Sequence, residues 1–292
     1  MIFLNITSYN DNIIKIKWNK ILTSTKNMFY DCNSIISIDL SHFDTSSVND
    51  MSKMFYSLRN LKSIDFTNID TSSVTDMSNM FYGFHSLESL DLSNFNTSLV
   101  KGMNEMFIGC SSLISLDLSN FKTSSVINME FMFSNCLKLA SLNLSNFDTS
   151  SVIDMKYMFN YCGSLKSIDL SNFNISSVTN MKGMFGLCKS LRIDLSNFNT
   201  SSVKDMMGMF SECQLIINLS NFDTSSVTDM SYMFRSYSSS GPLDLLNFNT
   251  SSVKNMDRMF YECKYLKYHY IYQILILHLL QIWTICFLLV VL

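Results

Sequence analysis

A Met-Phe dipeptide recurs through most of the chain at nearly constant spacing. Its ten copies begin at Met28, Met54, Met80, Met106, Met132, Met158, Met184, Met209, Met233 and Met259. The spacing is 26 residues, except for 25 before the eighth copy and 24 before the ninth. Self-similarity at such a period predicts a solenoid, in which each unit buries its apolar side against its neighbours. We therefore expect one elongated domain over residues 28–267.

Each repeat divides into two halves, which the copy around residue 113 illustrates. Its first half has the pattern L-x-x-L-x-L-x-x-F, which is typical of the strand segment of a leucine-rich repeat. Leu116 and Leu118 are predicted to point inward and Asp117 outward. The second half places Val126, Met129, Phe133 and Cys136 at i, i+3, i+7 and i+10, and this spacing predicts one face of a helix.

A serine with an acidic residue three positions later precedes this second half, and it favours a helix start. Examples are Ser73 with Asp76, Ser151 with Asp154 and Ser226 with Asp229. A hydroxyl there can cap free N–H groups, and a carboxylate suits the helix dipole. The predicted fold is thus an α/β repeat solenoid, a leucine-rich-repeat-like stack of about ten 26-residue strand-turn-helix units with a parallel β-sheet face. The methionines are predicted to fill the core.

Seven cysteines share one position, three residues after the repeat phenylalanine. They are Cys32, Cys110, Cys136, Cys162, Cys188, Cys213 and Cys263. Leu58, Phe84 and Tyr237 take this position in the other repeats, which favours a buried slot filled by free thiols. Disulfides between adjacent repeats are the alternative, since the strand spacing suits the Cα separation but the parallel side chains do not suit the bond. Zinc is a weaker alternative, because no histidine repeats with the cysteines.

An outward-facing acidic ladder is predicted along the exposed side of the strands. Its members are Asp39, Asp65, Asp91, Asp117, Asp169, Asp194 and Asp244, with Asn143 and Asn218 interrupting the row. Stacked carboxylates about 4.8 Å apart repel one another and therefore invite a divalent cation or a basic protein partner. The alternative is that exposed polar residues simply alternate with buried leucines. A second ladder is predicted to bond backbone in turns and not to form a site: Asn94, Asn120, Asn146, Asn172, Asn197 and Asn221.

The segments outside the repeats are a predicted cap and an apolar tail. Residues 1–27 lack a recognisable secretory signal, and the alternation from Ile14 to Trp18 predicts a strand in an N-terminal cap. Residues 268–292 contain no Asp, Glu, Lys or Arg, which is typical of a transmembrane segment. We favour another hypothesis: A/T-rich codons for Tyr272 to Phe287, read in a shifted frame, give SNFDTSFVTNMDYMF, an eleventh repeat. Membrane association is expected only if this tail inserts.

Composition and motifs argue against several classes of function. A net charge of −3 and the absence of a basic run exclude a nucleic-acid partner. The four histidines, His42, His85, His269 and His278, share no repeat position and no metal-ligand spacing. No nucleotide-binding or G-x-S-x-G motif occurs. We therefore expect no enzymatic activity and no cofactor.

The full repeat, L-x-x-L-x-L-S-N-F-[DN]-T-S-S-V-x-[DN]-M-x-x-M-F-x-x-C, resembles the BspA-like family of leucine-rich repeat surface proteins. The resemblance covers residues 28–267. It implies a non-enzymatic protein at the cell surface or outside the cell that adheres to host proteins, matrix proteins or other cells. One departure is that phenylalanine, as at Phe95 and Phe121, stands where the wider class has asparagine, so the usual inward asparagine ladder is not assumed. An intracellular scaffold for protein partners is the alternative, favoured by the missing signal and the free thiols.

Overall fold

The computed structural model describes residues 5–10, 13–17, 21–214, 217–239 and 243–263. Near the N-terminus, β1 (Asn5–Asn10) and β2 (Ile13–Lys17) pair as an antiparallel hairpin, which confirms a strand next to Trp18. Its role as a cap stays a prediction. The predicted tail, residues 268–292, lies outside the described residues, as do Ser240, Gly241 and Pro242 of the ninth repeat, where irregularity is expected.

Neighbouring repeats pair through short parallel strands, as predicted. These are β3 (Ser37–Asp39) with β4 (Ser63–Asp65), and β5 (Ser115–Asp117) with β6 (Ser141–Asn143). Each is three residues long, and in β3, β5 and β6 the middle side chain is buried between two exposed ones. The face that carries the exposed residues of these segments is called the strand face below.

A second series of parallel bridges joins the repeats along another side of the stack. It links Ser24, Asp50, Asp76, Gly102, Asn128, Asp154, Asn180, Asp205, Asp229 and Asn255 in sequence. Each repeat is therefore one rung of a β-solenoid, hydrogen-bonded to its neighbours on two sides. This ladder just precedes the segment for which the sequence predicted a helix.

The predicted helix in each unit is wrong: no described residue is helical. Residues 129–136 form successive turns in which alternate N–H groups bond in two directions. Met132 N–H donates to Met129 O at 3.3 Å, three residues back, whereas Phe133 N–H donates to Met158 O of the next rung at 2.9 Å. A helix would direct these donors four residues back. Here half of them instead connect the rungs.

Two residues in each rung have positive φ, and they explain why no helix forms. In the central rung they are Phe131 (φ 55°) and Asn135 (φ 61°). Left-handed conformations cost an ordinary L-residue roughly 1–2 kcal/mol, and glycine adopts them freely. Gly183 (φ 59°) and Gly208 (φ 61°) occupy the position of Phe131 in later rungs. A left-handed residue every fourth position reverses the chain before a helical turn can continue.

The residues predicted as helix caps have other partners. Ser151 Oγ donates to Ser124 O of the preceding rung at 2.8 Å, and Ser73 Oγ donates to Ser46 O at 3.3 Å. Asp154 Oδ1 accepts from Lys156 N–H, two residues later, at 2.8 Å. The serine and the acidic residue thus stabilise the rung-to-rung contact and a tight turn.

Stacked side chains fill the core between the two ladders. Val126, Met129, Met132 and Phe133 are fully buried, which confirms that the methionines are core residues. The repeat phenylalanines stack from Phe29 to Phe260 in one column, with ring centroids 5.5–6.0 Å apart. The phenylalanines at the asparagine position of the wider class are buried as a second column: Phe66, Phe95, Phe121, Phe147, Phe173, Phe198, Phe222 and Phe248.

Buried threonines join the rungs by paired hydrogen bonds. Thr123 Oγ1 donates to Asp148 O at 2.8 Å and accepts from Asp148 N–H at 2.8 Å, while its side chain is almost fully buried. Thr45, Thr71 and Thr97 repeat this exchange with the rung that follows them. Ile175 stands at the same position in one rung. The hydroxyl therefore satisfies backbone groups that the short strands leave unpaired.

We expect Thr123→Val to lower the free energy of unfolding by about 2 kcal/mol, because the isosteric valine leaves the N–H and C=O of Asp148 without this partner. The reverse change, Ile175→Thr, introduces the pair with Asn199 and is expected to raise it by about 1 kcal/mol. Urea unfolding followed by circular dichroism measures both. Equal stability of Thr123→Val and the wild-type chain would contradict the role of the hydroxyl.

Candidate partner-binding face

All seven aspartates of the acidic ladder are exposed on the strand face. Asp39 pairs in register with Asp65, and Asp117 pairs with Asn143. Parallel strands lie about 4.8 Å apart, so the side chains follow one another in a row along the stack. The structure thus places the predicted residues together, although their role in binding stays a prediction.

Each ladder residue also closes the turn that follows its strand segment. Asp117 Oδ1 accepts from Ser119 N–H at 2.9 Å, and Asp39 Oδ1 accepts from Ser41 N–H at 2.9 Å. Asn143 makes the same bond to Ser145 N–H at 3.1 Å. The turn requires a side-chain oxygen and not a charge, which explains why asparagine can interrupt the row.

Hydrogen bonds from the following serine keep the ladder ionised. The backbone N–H and the hydroxyl of that serine hold the pKa of Asp91, Asp117, Asp169 and Asp194 below its ordinary value. At Asp39 the hydroxyl of Ser41 is the larger cause of the lowered pKa. These side chains therefore carry negative charge at neutral pH and into the mildly acidic range.

A second acidic column, which the sequence analysis missed, lies in the turn before the buried threonines. Asp44 Oδ1 accepts from Ser46 N–H at 3.0 Å, and Asp148 Oδ1 accepts from Ser150 N–H at 3.0 Å. Hydrogen bonds led by the serine hydroxyl lower the pKa of Asp44, Asp70, Asp148 and Asp223. The recurring [DN]-T-S-S motif is the sequence signal for it. Its geometry matches the acidic ladder, which makes it a useful control.

The predicted asparagine ladder bonds to the turn of the preceding rung. Asn172 Nδ2 donates to Ser145 O at 2.6 Å, and Asn221 Nδ2 donates to Ser196 O at 2.7 Å. The prediction that these amides bond backbone and form no site therefore agrees with the structure. Because each bond crosses between rungs, this ladder strengthens the stack.

The cysteine slot is buried, as predicted, in every described rung but the first. Cys110, Cys136, Cys162, Cys188, Cys213 and Cys263 are almost fully buried, whereas Cys32 is exposed, so the core prediction is wrong for Cys32. All seven described cysteines are free, and the alternative of inter-rung disulfides is not formed. Cys136 Sγ donates to Phe107 O at 3.2 Å. Each buried thiol thus behaves as a small core residue with one weak hydrogen bond.

Burial suppresses ionisation of these thiols. It raises the pKa of Cys188 and of Cys263 to about 12, and it raises that of Cys162 and Cys213 well above the ordinary value. At Cys136 the hydrogen bond with Cys110 is the largest cause of the raised pKa, followed by burial. The thiols are therefore protonated and unreactive in the folded stack.

Metal and membrane sites were sought in the part of the chain that the structure describes. It contains no group of three or more His, Cys, Asp or Glu side chains placed to hold a metal ion. The divalent cation predicted as one partner of the acidic ladder thus lacks converging ligands there. Within the same residues, no helix is long and apolar enough to span a bilayer.

The fold and its ladders define a β-solenoid repeat protein. A sequence profile of the family described as "Mycoplasma protein of unknown function, DUF285" matches residues 1–63, 23–141, 56–167, 110–218 and 194–271. The chain belongs to this family, and the resemblance to BspA-like repeats is confirmed. No curated protein matches the chain.

A leucine-rich repeat protein from Bacteroides ovatus is similar to this chain in structure. The sequences are 16% identical, and the match covers 83% of this chain and 80% of that chain with a TM-score of 0.36. So low a score carries no argument about function. The parallel strands and the rung-to-rung ladders rest on this structure itself.

Proposed function

We propose that this chain is a non-enzymatic repeat protein that binds basic protein partners through the strand face, in adhesion to host proteins, matrix proteins or other cells. The observation that carries the proposal is the acidic ladder: exposed, in register, and held ionised by its own turns. A row of like charges is electrostatically unfavourable alone and is relieved by a cationic surface. The BspA-like resemblance supports a location at the cell surface.

An intracellular scaffold is the second candidate, and the buried thiols favour it. Seven free cysteines are unusual in an oxidising compartment. Burial protects six of them, so this observation counts against the extracellular location only at the exposed Cys32. Labelling of intact cells with an impermeant biotin reagent separates the two: a surface protein is labelled, and a scaffold is labelled only after lysis.

We expect Asp91→Asn, Asp117→Asn, Asp169→Asn and Asp194→Asn together to weaken binding of a lysine-rich probe protein about tenfold or more, since four charge attractions are lost. Asn143 shows that asparagine keeps the turn at this position. The same binding is expected to weaken with rising salt. Isothermal titration calorimetry at two salt concentrations measures both effects.

The second acidic column provides the matched control. Asp44→Asn, Asp70→Asn, Asp148→Asn and Asp223→Asn remove the same charge from turns of the same geometry. If both quadruple variants lose affinity equally, net charge and not the strand face is responsible. Unchanged affinity of the ladder variant would refute this face as the site.

A further inference from the structure

The repeats allow an internal comparison that separates structural positions from free ones. The face that carries the outward residues of the Met-x-x-Met-Phe segments is called the turn face. On it, the left-handed position before the second methionine holds Asn27, Lys53, Asn79, Glu105, Phe131, Tyr157, Gly183, Gly208, Tyr232 and Arg258. The buried methionine and phenylalanine beside it are constant in these rungs. The fold therefore fixes the backbone at this position but not the side chain.

Two adjacent rungs place aromatic side chains at this strained position. Phe131 and Tyr157 both have φ 55°, a conformation that bulky residues rarely adopt. Gly183 takes the same conformation in the next rung without a side chain. Bulky residues in a left-handed conformation point to a gain elsewhere, and such gains often arise at functional sites.

The same two rungs carry exposed isoleucines. Ile127 is 57% exposed and Ile153 is 50% exposed. In the other described rungs this position is polar: Asn49, Thr75, Lys101, Thr179, Lys204, Thr228 and Lys254. Ile127, Phe131, Ile153 and Tyr157 are called the central patch. An exposed apolar cluster confined to two rungs is typical of an interaction site.

The geometry of the rings indicates what kind of partner the central patch fits. Phe131 and Tyr157 stack with centroids 4.8 Å apart, and a Cβ added to Gly183 would collide with the Tyr157 ring. The ammonium of Lys156 lies 5.8 Å from the Phe131 centroid, and that of Lys182 lies 5.9 Å from the Tyr157 centroid. The ring faces are thus covered, so edges and isoleucine side chains are presented. This suits a protein surface better than a sugar or a nucleic-acid base.

We propose that the partner is a second copy of this chain, bound antiparallel about a two-fold axis between these two rungs. That axis sets Phe131 opposite Tyr157 of the second copy, and the rung of Glu105 opposite the rung of Lys182. Neither Glu105 nor Lys182 has an ion-pair partner among the described residues. The two-fold operation forms this Glu–Lys pair twice, on either side of the central patch.

Side-chain sizes on the turn face are complementary about the same axis. At the position after the repeat phenylalanine, the rungs on the N-terminal side carry Ile108 and Tyr82. Their counterparts across the axis are Gly186 and Ser211. Large residues therefore meet small ones in both halves of the interface. A parallel arrangement would set each bulky side chain against its own copy.

The first experiment removes the central patch from the full chain. Ile127→Thr, Ile153→Thr, Phe131→Asn and Tyr157→Asn introduce residues that occupy the same positions in other rungs, as Thr75 and Asn79 do. Sedimentation equilibrium is expected to show a dimer whose Kd rises at least about a hundredfold in this variant. Ile36→Thr with Ile114→Thr, which trims equally exposed isoleucines elsewhere, should leave the Kd unchanged. Association driven by residues 268–292 would be the same in all of these chains.

The second experiment tests the two-fold arrangement by mixing. Glu105→Lys and Lys182→Glu are each expected to raise the Kd about tenfold, because each produces two like-charge contacts in its own dimer. An equimolar mixture of the two variants forms a heterodimer with both pairs attractive, so its Kd should return to the wild-type value. A mixture no tighter than either variant, or a wild-type chain that stays monomeric up to its solubility limit, overturns the proposal.

Discussion

As pH rises above 9, the free energy of unfolding is expected to fall steeply, before most other groups of the folded stack titrate. The cause is the column of buried thiols. The ordinary thiol pKa is 9.0, whereas that of Cys188 is about 12 in the folded chain. The same direction holds for Cys136, Cys162 and Cys213. The unfolded chain therefore loses these protons at a pH where the folded chain keeps them.

The sign and size of the effect follow from proton linkage. The folded pKa is raised, so the stabilisation is complete below the unfolded pKa and is lost as pH rises toward the folded pKa. Between the two values each thiol lowers the free energy of unfolding by roughly 1.4 kcal/mol per pH unit. Several thiols act together, so a change of one pH unit is expected to cost several kcal/mol.

Urea unfolding at about pH 8 and about pH 10.5 measures this slope. Cys162→Ala with Cys188→Ala should lower stability modestly at the lower pH and reduce the slope. Leu58→Ala is the control, because Leu58 fills the same buried slot without a thiol. It should lower stability equally at both pH values. A slope that the two cysteine substitutions leave unchanged would rule out the thiols as its cause.

Phe133→Ala is expected to lower the free energy of unfolding by about 3–5 kcal/mol. Phe133 is fully buried, and its ring stacks between those of Phe107 and Phe159 at 5.6 Å on either side. Removing it leaves a cavity that two rigid neighbouring rungs cannot close. Thermal and urea unfolding of the purified variant measure the loss.

Phe29→Ala is the matched control at the first rung. Phe29 is only partly buried and has one stacking neighbour in the column, Phe55, at 5.6 Å. Its loss is therefore expected to be well below that of Phe133, as is that of Cys136→Ala, at about 1 kcal/mol. Equal losses for Phe29 and Phe133 would mean that the column is not a continuous core.

Period and burial were predictable from the sequence because both follow from spacing. Repeated Met-Phe pairs located the rungs, and the alternation around Asp117 gave the buried and exposed sides of the strand. The exposed position of the ladder aspartates followed from the same alternation. What these residues bind does not follow, because a ligand leaves no periodic trace in the chain that recognises it.

The helix prediction failed because two structures share one apolar spacing. Val126, Met129, Phe133 and Cys136 would lie on one side of a helix, and they also lie inside a run of three-residue turns. The discriminating signal was present: glycine, asparagine or aspartate recurs four residues apart in this segment, as at Asn79 and Gly83. These residues disfavour a helix interior and favour positive φ. The hydrogen-bonding partner of each N–H, on the next rung, lies 25 residues away, beyond the reach of local patterns.

The bridge ladder gives this chain a tolerance for changes in length. It joins Asp154 to Asn180, Asn180 to Asp205 and Asp205 to Asp229, although these steps span 26, 25 and 24 residues. Missing residues are absorbed outside the ladder, as where Arg192 pairs with Ser167. Because each rung offers its neighbours the same contacts, a whole repeat can be gained or lost by recombination within the gene without disturbing the others. Each such event moves the two ends of the stack by about 4.8 Å, so alleles of different copy number would differ in reach and not in fold.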